Sequence, residues 1–411
     1  MSKLKILLVH NYYQRPGGED AVFHAERNLL REMGHKVVEY TDHNNRIKHM
    51  NPLSIALNSI WSSDTKKKLL RILKEEKPDI AHFHNTFPLI SPSAYYACKE
   101  AEVPVVQTLH NYRLLCPAAI FYRNGKICEE CIGNKKPLYK TPEDYKKLET
   151  FQTSRPKLPW PSIVYGCYHS SRIQTAAVAI MLSVHRLMGT WQNMVNTYIA
   201  LTEFSGKKFI EGGFPSDKIA VKPNFIIDNP GIKEKDGSYA LFVGRLSREK
   251  GIRTLLKAWE KLKGIPLKIA GDGPLINEVK NFVRKKKLNS IEIAGKCSRD
   301  EIVSLMKQAR FLIFPSEWYE TFGLVIIEAF AYGVTVISNS IGVMGEIIQD
   351  KVTGLHINNE KIDSLIDTIE WAWNNKIELR KISKEAKREF EKKYTHQENY
   401  KSLYKIYEKY I

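Results

Sequence analysis

The feature that most constrains this chain is a rhythm: a short apolar run, a turn, a helical stretch, then another apolar run. "KLKILLVH" (3–10) leads through "NYYQRPGGED" into the helical "AVFHAERNLLREMG", and "HKVVEYT" resumes as a strand. "DIAHFHN" (79–85) and "VPVVQTLHN" (103–111) repeat the pattern. Strands alternating with helices predict a parallel sheet covered on both faces. The rhythm breaks over about 112–170, which is rich in Pro, Tyr and Cys and reads as an irregular insertion. It restarts after a Pro-, Asn-, Asp- and Gly-rich stretch with "YALFVGRL", "PLKIAGDG", "SIEIAGK", "RFLIFPS" and "VTVISNS".

With 411 residues, two domains are expected. The expected fold class is α/β, with two Rossmann-like doubly wound parallel-sheet domains facing a cleft and a Cys-containing insertion in the first. The expected boundaries are 1–225, a linker at 226–238, a second domain at 239–390 and a terminal helix at 391–411 that returns to the first domain. The apolar stretch 173–191 carries Gln174, His185 and Arg186, too polar for a spanning helix, and reads as a largely buried helix. The first apolar run is too short for a signal peptide, so a cytoplasmic setting is expected.

Lys and Arg number 63 against 45 Asp and Glu, a net charge of +18. Such a surplus favours anionic partners: nucleic acid, anionic lipid or phosphorylated substrates. No nucleic-acid-binding module or aromatic–basic stripe accompanies it, so no nucleic-acid partner is expected.

In open parallel sheets ligands bind beyond the carboxyl ends of the strands. The residues there are Gly17, Gly18 and Glu19, then His110, Gly244 and Arg245, Gly271 with Asp272, and the loop around Glu320. Adjacent glycines before a helix let backbone approach a ligand, and helix N-termini present free N–H groups to phosphate. Arg245 and Lys250 in "VGRLSREKG" can meet a diphosphate, Arg as a fork and Lys as a point charge. In "PSEWYETFGLVIIEAFAYG" a helix is predicted to begin near Phe322 or Gly323, with Glu320 before it and Glu328 inside it. Glu328 lies among Leu324, Val325, Ile326, Ile327, Ala329 and Phe330, and a charge in so apolar a helix needs a partner. Two carboxylates flanking a phosphate-binding helix start match a nucleotide sugar: ribose, diphosphate, hexose.

"RPGGED", "TLHNYR", "VGRLSREKG", "AGDGP" and "ETFGLVIIE", in this order, resemble the glycosyltransferases of family 4, which have the GT-B architecture. The resemblance implies retaining sugar transfer from a nucleotide sugar to a glycan or lipid-linked glycan in cell-surface polysaccharide biosynthesis, a UDP-sugar being favoured and a GDP-sugar the alternative donor. It implies that Glu328 binds ribose, that Arg245 and Lys250 offset diphosphate charge, and that the backbone of Phe322, Gly323 and Leu324 holds phosphate oxygens. Glu320 would contact donor-sugar hydroxyls and His110 would lie over the donor sugar. Gly17 and Gly18 would approach the diphosphate from the other domain. Gly244, Gly271 and Asp272 would belong to the donor side, Asp272 near the base. No D-x-D stretch is present, so no catalytic metal and no catalytic cofactor are expected. The competing readings are a zinc-containing basic nucleic-acid-binding protein and a nucleotide-sugar-binding protein without transferase activity.

Four of the six cysteines, Cys116, Cys128, Cys131 and Cys167, fall in the irregular region. Cys128 and Cys131 form a C-x-x-C pair. Together the four can hold a structural zinc, remain reduced buried thiols or form a redox disulfide, and a cytosolic setting disfavours a stable disulfide. The basic charge, the region 112–170 and the apolar helix fit peripheral contact with an anionic inner membrane face.

Overall fold

A computed structural model describes residues 2–133, 158–227, 236–358 and 361–411. Much of the expected linker and the middle of the expected insertion lie outside them. The strands are β1 (Lys5–Tyr12), β2 (Lys36–His43), β3 (Ile80–Asn85), β4 (Val105–Thr108), β5 (Tyr122–Arg123), β6 (Lys126–Ile127), β7 (Thr197–Ala200), β8 (Ile219–Val221), β9 (Tyr239–Val243), β10 (Leu267–Ala270), β11 (Ile291–Gly295), β12 (Ala309–Phe314), β13 (Thr335–Asn339) and β14 (Gly354–Ile357).

Two six-stranded parallel sheets result, ordered β2-β1-β3-β4-β7-β8 and β11-β10-β9-β12-β13-β14. All residues of β3, β4 and β13 are buried, which is why these runs carry apolar residues on both faces. The first helix spans Gly18–Glu32, and Gly34 just beyond it has φ of 86°, the left-handed stop that Gly takes without a Cβ penalty. Each sheet reverses its strand order once, between β1 and β3 and between β9 and β12. These switch points open the crevices where ligands bind in such sheets. Within the expected insertion, β5 and β6 form a small antiparallel hairpin and Pro161–Tyr165 a short helix.

Residues 376–407 form two helices. Lys376–Lys393 packs on the second sheet, where Thr335 Oγ1 meets Ser383 Oγ at 2.9 Å. The chain breaks at Tyr394, whose carbonyl accepts the Ile226 amide at 3.1 Å, and Thr395 caps the next helix, His396–Tyr407. That helix lies on the first sheet, with Leu403, Tyr404 and Tyr407 against Leu4, Ile6, Leu8 and Phe23. Tyr400 Oη meets His35 at 2.8 Å and Tyr407 Oη meets His82 at 2.6 Å.

The helix Arg172–Leu187 departs from expectation. It buries Thr175, Val178, Ala179, Met181, Leu182 and His185, but leaves Ile173, Ile180 and Leu187 exposed. Residues seven apart fall on one stripe after two helical turns, so the helix is amphipathic rather than largely buried. It packs beside Pro52–Ile60, whose Leu53 and Leu57 are exposed as well.

One apolar core runs through the contact between the two sheets' domains. Phe204 meets Tyr319 edge-on with centroids 4.8 Å apart, and Phe121 also meets Tyr319 edge-on, at 6.5 Å. Glu346 of the second domain accepts the Glu203 and Phe204 amides at 2.9 and 2.8 Å, so its carboxylate caps a helix of the first.

Candidate active site

The switch-point loops of the two domains face each other. The helix after β1 begins at Gly18, and the helix after β12 spans Leu324–Ala331 with Gly323 at φ of 87° as its N-cap. A Cβ on Gly18 would lie 2.9 Å from Leu324 Cδ1, so two helix N-termini from different domains meet almost in contact. Both present unpaired N–H groups and partial positive charge to one place. The glycine loop is held from within: Asp20 Oδ2 accepts the Gly17 amide at 2.8 Å, and Asp20 Oδ1 lies 2.7 Å from His10 Nε2.

The second domain's turns are braced by backbone. Gly244 donates to Ala270 at 3.0 Å and Leu246 to Asp272 at 2.9 Å. Gly271 has φ of 150°, and a Cβ there would sit 1.9 Å from the Gly244 carbonyl oxygen. Only glycine allows β9 and β10 to end this close together.

The predicted cations are already paired. Arg245 reaches Glu249 at 2.6 Å while staying mostly exposed. Lys250 meets Glu320 Oε1 at 2.5 Å. Ser316 Oγ and Trp318 Nε1 converge on that same oxygen at 2.5 and 2.8 Å. Glu320, read from sequence as a loop residue free to touch a sugar, is therefore a buried carboxylate with one oxygen held by three donors. The partner that Glu328 requires is present in the protein: Arg299 pairs with it. Its burial alone therefore no longer argues for a ligand.

His110 sits at the carboxyl end of β4, partly exposed. Thr321 Oγ1 donates to its carbonyl at 2.7 Å, and Tyr112 Oη donates to the Glu320 carbonyl at 3.1 Å. The His110 loop and the Glu320 loop are thus stitched across the cleft. Burial and then the neighbouring His84 hold the His110 imidazole well below its ordinary pKa, so it is neutral.

Sequence reasoning named one group without giving it a role and passed over a second. Glu19 sits beside the glycine pair; Asn111 Nδ2 donates to its Oε2 at 3.0 Å, and its buried Oε1 has no hydrogen-bond partner in the protein. Burial pushes its carboxyl up to about 8, against the lowering effect of Asn111. The second group lies beneath His110: Glu26, His82, His84 and Lys222. Glu26, His82 and His84 bring ligand atoms within 4.8 Å of one another, the spacing of a metal site. Lys222 Nζ, however, stands 2.9 Å from Glu26 Oε2, and both His82 nitrogens are engaged, by Tyr407 Oη and by Thr108 Oγ1 at 2.8 Å. Lys222 thus supplies the positive charge that a metal ion would otherwise bring to the cluster. Its sequence signal is "HFH": alternate residues of a strand share a face.

The four irregular-region cysteines are unoxidised neighbours. Burial first, then Cys116, Cys128 and Cys167, raise Cys131. Among the described residues, the four do not form a group with the spacing of a metal site. The β5–β6 hairpin they flank reaches the second domain, where Tyr122 Oη donates to Glu317 at 3.2 Å.

Comparison with known proteins fits this geometry. The family described as "Glycosyl transferases group 1" matches residues 225–389, and "Glycosyltransferase Family 4" matches residues 16–128. The chain is a GT-B glycosyltransferase of family 4 type. It is similar to an uncharacterized glycosyltransferase of Methanocaldococcus jannaschii, 36% identical over 175 residues, 43% of this chain and 49% of that one. It is also similar to the O-antigen chain mannosyltransferase C of Escherichia coli, 30% identical over 160 residues, 38% of this chain and 43% of that one. The matches thus span about half the length of these relatives or less. In fold it is similar to Anabaena HepE, solved in complex with UDP and glucose, with a TM-score of 0.66 at 16% identity over 98% of this chain and 99% of that one.

Proposed function

We propose that this protein transfers a sugar, with retention of anomeric configuration, from a nucleotide sugar to a glycan or lipid-linked glycan acceptor in cell-surface polysaccharide biosynthesis. The observation that carries this is the meeting of two helix N-termini at Gly18 and Leu324, with Lys250 held against Glu320 in the loop just before the second. A diphosphate fits such a cradle, because backbone N–H groups and cations stabilise the charge that grows on a departing phosphate. The UDP complex of the structurally similar HepE favours UDP over GDP, and the O-antigen relative favours a surface polysaccharide.

In this reading residues 1–225 form the acceptor side and 239–390 the donor side. The amides of Phe322, Gly323 and Leu324 hold phosphate oxygens, and Glu328 takes the ribose by exchanging part of its bond with Arg299. Asp272, beside Gly271, lies near the base. Lys250 shifts from Glu320 towards the diphosphate, which releases Glu320 to hydrogen-bond donor-sugar hydroxyls. His110 lies over the sugar. Positive charge from Arg245 and Lys250 makes the reaction metal-independent, so activity persists in chelator. Catalysis rests on positioning and charge stabilisation.

Two structural proposals accompany it. The exposed stripe Ile173, Ile180 and Leu187, beside Leu53 and Leu57, dips into an anionic membrane at the cytoplasmic face and brings the site to a lipid-linked acceptor. A zinc ion drawing Cys116, Cys128, Cys131 and Cys167 together orders the hairpin. The Cys128 thiol accepts the Glu130 amide, and Gly133 follows Cys131 with φ of 104°. The sulfurs would have to contract around the ion.

The deciding experiment is a thermal-shift panel with UDP, GDP, dTDP and ADP and their sugars. A rise with one nucleotide, abolished by Arg245→Ala and Glu328→Ala, is expected from binding to the folded state. No shift at millimolar ligand would overturn the donor-site reading.

A further inference from the structure

The groups beneath His110 form a directional chain. Lys222 Nζ lies 2.9 Å from Glu26 Oε2, and Glu26 Oε1 lies 3.3 Å from His84 Nε2. His84 Nδ1 lies 2.9 Å from His110 Nε2, with the two rings stacked at 5.1 Å. Glu26, His84 and Lys222 are buried, so no bulk water competes for these positions.

Each link restricts the next. Burial pushes the Glu26 carboxyl up, but Lys222 and His82 outweigh it and leave the group well below its ordinary pKa. Glu26 is therefore a carboxylate, and a carboxylate only accepts. The 3.3 Å contact with His84 Nε2 is out of line for a hydrogen bond, but a bare nitrogen there would set its lone pair against the carboxylate, so the nitrogen facing Glu26 carries hydrogen. Burial and the adjacent His82 hold His84 down to about 3, so the ring is neutral and its other nitrogen is bare. A bare His84 Nδ1 can only accept, which makes His110 Nε2 the donor of the 2.9 Å bond. His110 is neutral too, so the proton on Nε2 leaves Nδ1 with a lone pair.

We propose that Glu26 and His84 are positioning residues that hold His110 in the Nε2–H tautomer, so that His110 offers a hydrogen-bond acceptor, not a donor, to the cleft. The group it takes is a hydroxyl that donates, and an anionic phosphate oxygen is refused. That the hydroxyl belongs to a sugar rests on the transferase reading. The tautomer does not. His82 belongs to the same network: its Nδ1 faces Glu26 Oε1 at 3.1 Å and the Tyr407 hydroxyl at 2.6 Å. The helix His396–Tyr407 thus takes part in holding Glu26, and Asn399 Oδ1 accepts from Lys222 at 3.3 Å.

The test reads the tautomer directly. Protein labelled with 15N at histidine, without any ligand, gives two-bond 15N–1H correlations, and His110→Gln assigns the His110 pattern by its disappearance. The expected wild-type pattern is protonated Nε2 and bare Nδ1. Protonated Nδ1 overturns the proposal, whatever the variants do. In Glu26→Gln, Lys222 takes the amide oxygen and turns the NH2 towards His84. His84 Nε2 then accepts, its Nδ1 carries the hydrogen, and His110 inverts to Nδ1–H. A folded Glu26→Gln protein with an unchanged His110 pattern overturns the relay. If the wild-type pattern is as expected while no nucleotide stabilises the protein, the transferase reading fails and the relay stands.

Discussion

Lys250 Nζ and Glu320 Oε1 stand 2.5 Å apart at the mouth of the cleft, with Glu320 buried and Lys250 half-buried. The pair joins the turn after β9 to the loop after β12. Lys250→Ala leaves a carboxylate with only Ser316 and Trp318 as donors, and the expected loss is about 3 kcal/mol of stability in urea unfolding. Glu320→Gln removes the charge that an incoming diphosphate must displace. UDP is expected to bind it roughly threefold tighter while sugar transfer falls, a split that calorimetry and turnover measure together.

Two glycines at the cleft predict opposite outcomes. At Gly271 a Cβ would strike the Gly244 carbonyl oxygen, which is backbone and cannot yield. Gly271→Ala is expected to cost more than about 3 kcal/mol or to abolish folding of the second sheet. At Gly18 the nearest atom is the tip of the Leu324 side chain, which can rotate away. Gly18→Ala should cost less than about 1 kcal/mol yet weaken UDP binding, by keeping the two helix starts apart. Circular dichroism melts beside UDP titration separate the cases.

Glu19 predicts a pH dependence of defined sign. Its folded-state pKa, about 8, exceeds the ordinary 4.5, so between these values the folded chain binds more protons than the unfolded chain. Its contribution to stability therefore falls as pH rises through that window and levels off above it. Glu19→Gln should melt at a higher temperature than the wild type near about pH 9, with the gap closing towards about pH 4. Because the loop touches solvent, the full gap is expected on the order of 2 kcal/mol. A pH-independent gap would remove the assignment.

The apolar stripe predicts binding to vesicles containing anionic lipid. Ile173→Glu combined with Leu187→Glu should leave the fold intact, since both side chains are exposed. Flotation at low salt should fall at least roughly tenfold, as apolar burial and charge attraction are lost together. Equal flotation of both proteins would sink the membrane proposal.

The cysteine cluster predicts metal content. Protein purified without chelator should carry about one zinc per chain, and Cys128→Ser with Cys131→Ser should abolish it. Zinc well below stoichiometry in the wild type would show that the four thiols are simply reduced and buried.

The parallel sheets and the strand-end loops were legible because local patterns carry them: apolar runs of strand length, glycines at their ends, and helical spacing between. The start of the helix at Gly323 and Leu324 was read to within a residue or two. The cluster beneath His110 was not read, because Glu26, the His82–His84 pair and Lys222 come from three places in the chain, and each alone looks like an ordinary core or surface residue. Only the fold brings them together: β3 pairs with β1, whose following helix carries Glu26, and Lys222 reaches Glu26 from the chain just after β8. Glu328 was read as a charge needing a ligand because Arg299 lies 29 residues earlier, beyond any local pattern. The amphipathic face of Arg172–Leu187 was hidden for a different reason: mean apolarity measures how much of a helix is greasy, not which side its neighbours cover.

The helix His396–Tyr407 is made after the whole second sheet, yet it covers the first. During synthesis the first sheet therefore waits, with the surface around Leu4, Ile6 and Phe23 uncovered, until this helix leaves the ribosome. The second sheet and the Lys376–Lys393 helix can finish earlier. Birth order and folding order are thus inverted in this chain: the domain that emerges first is the last to be completed.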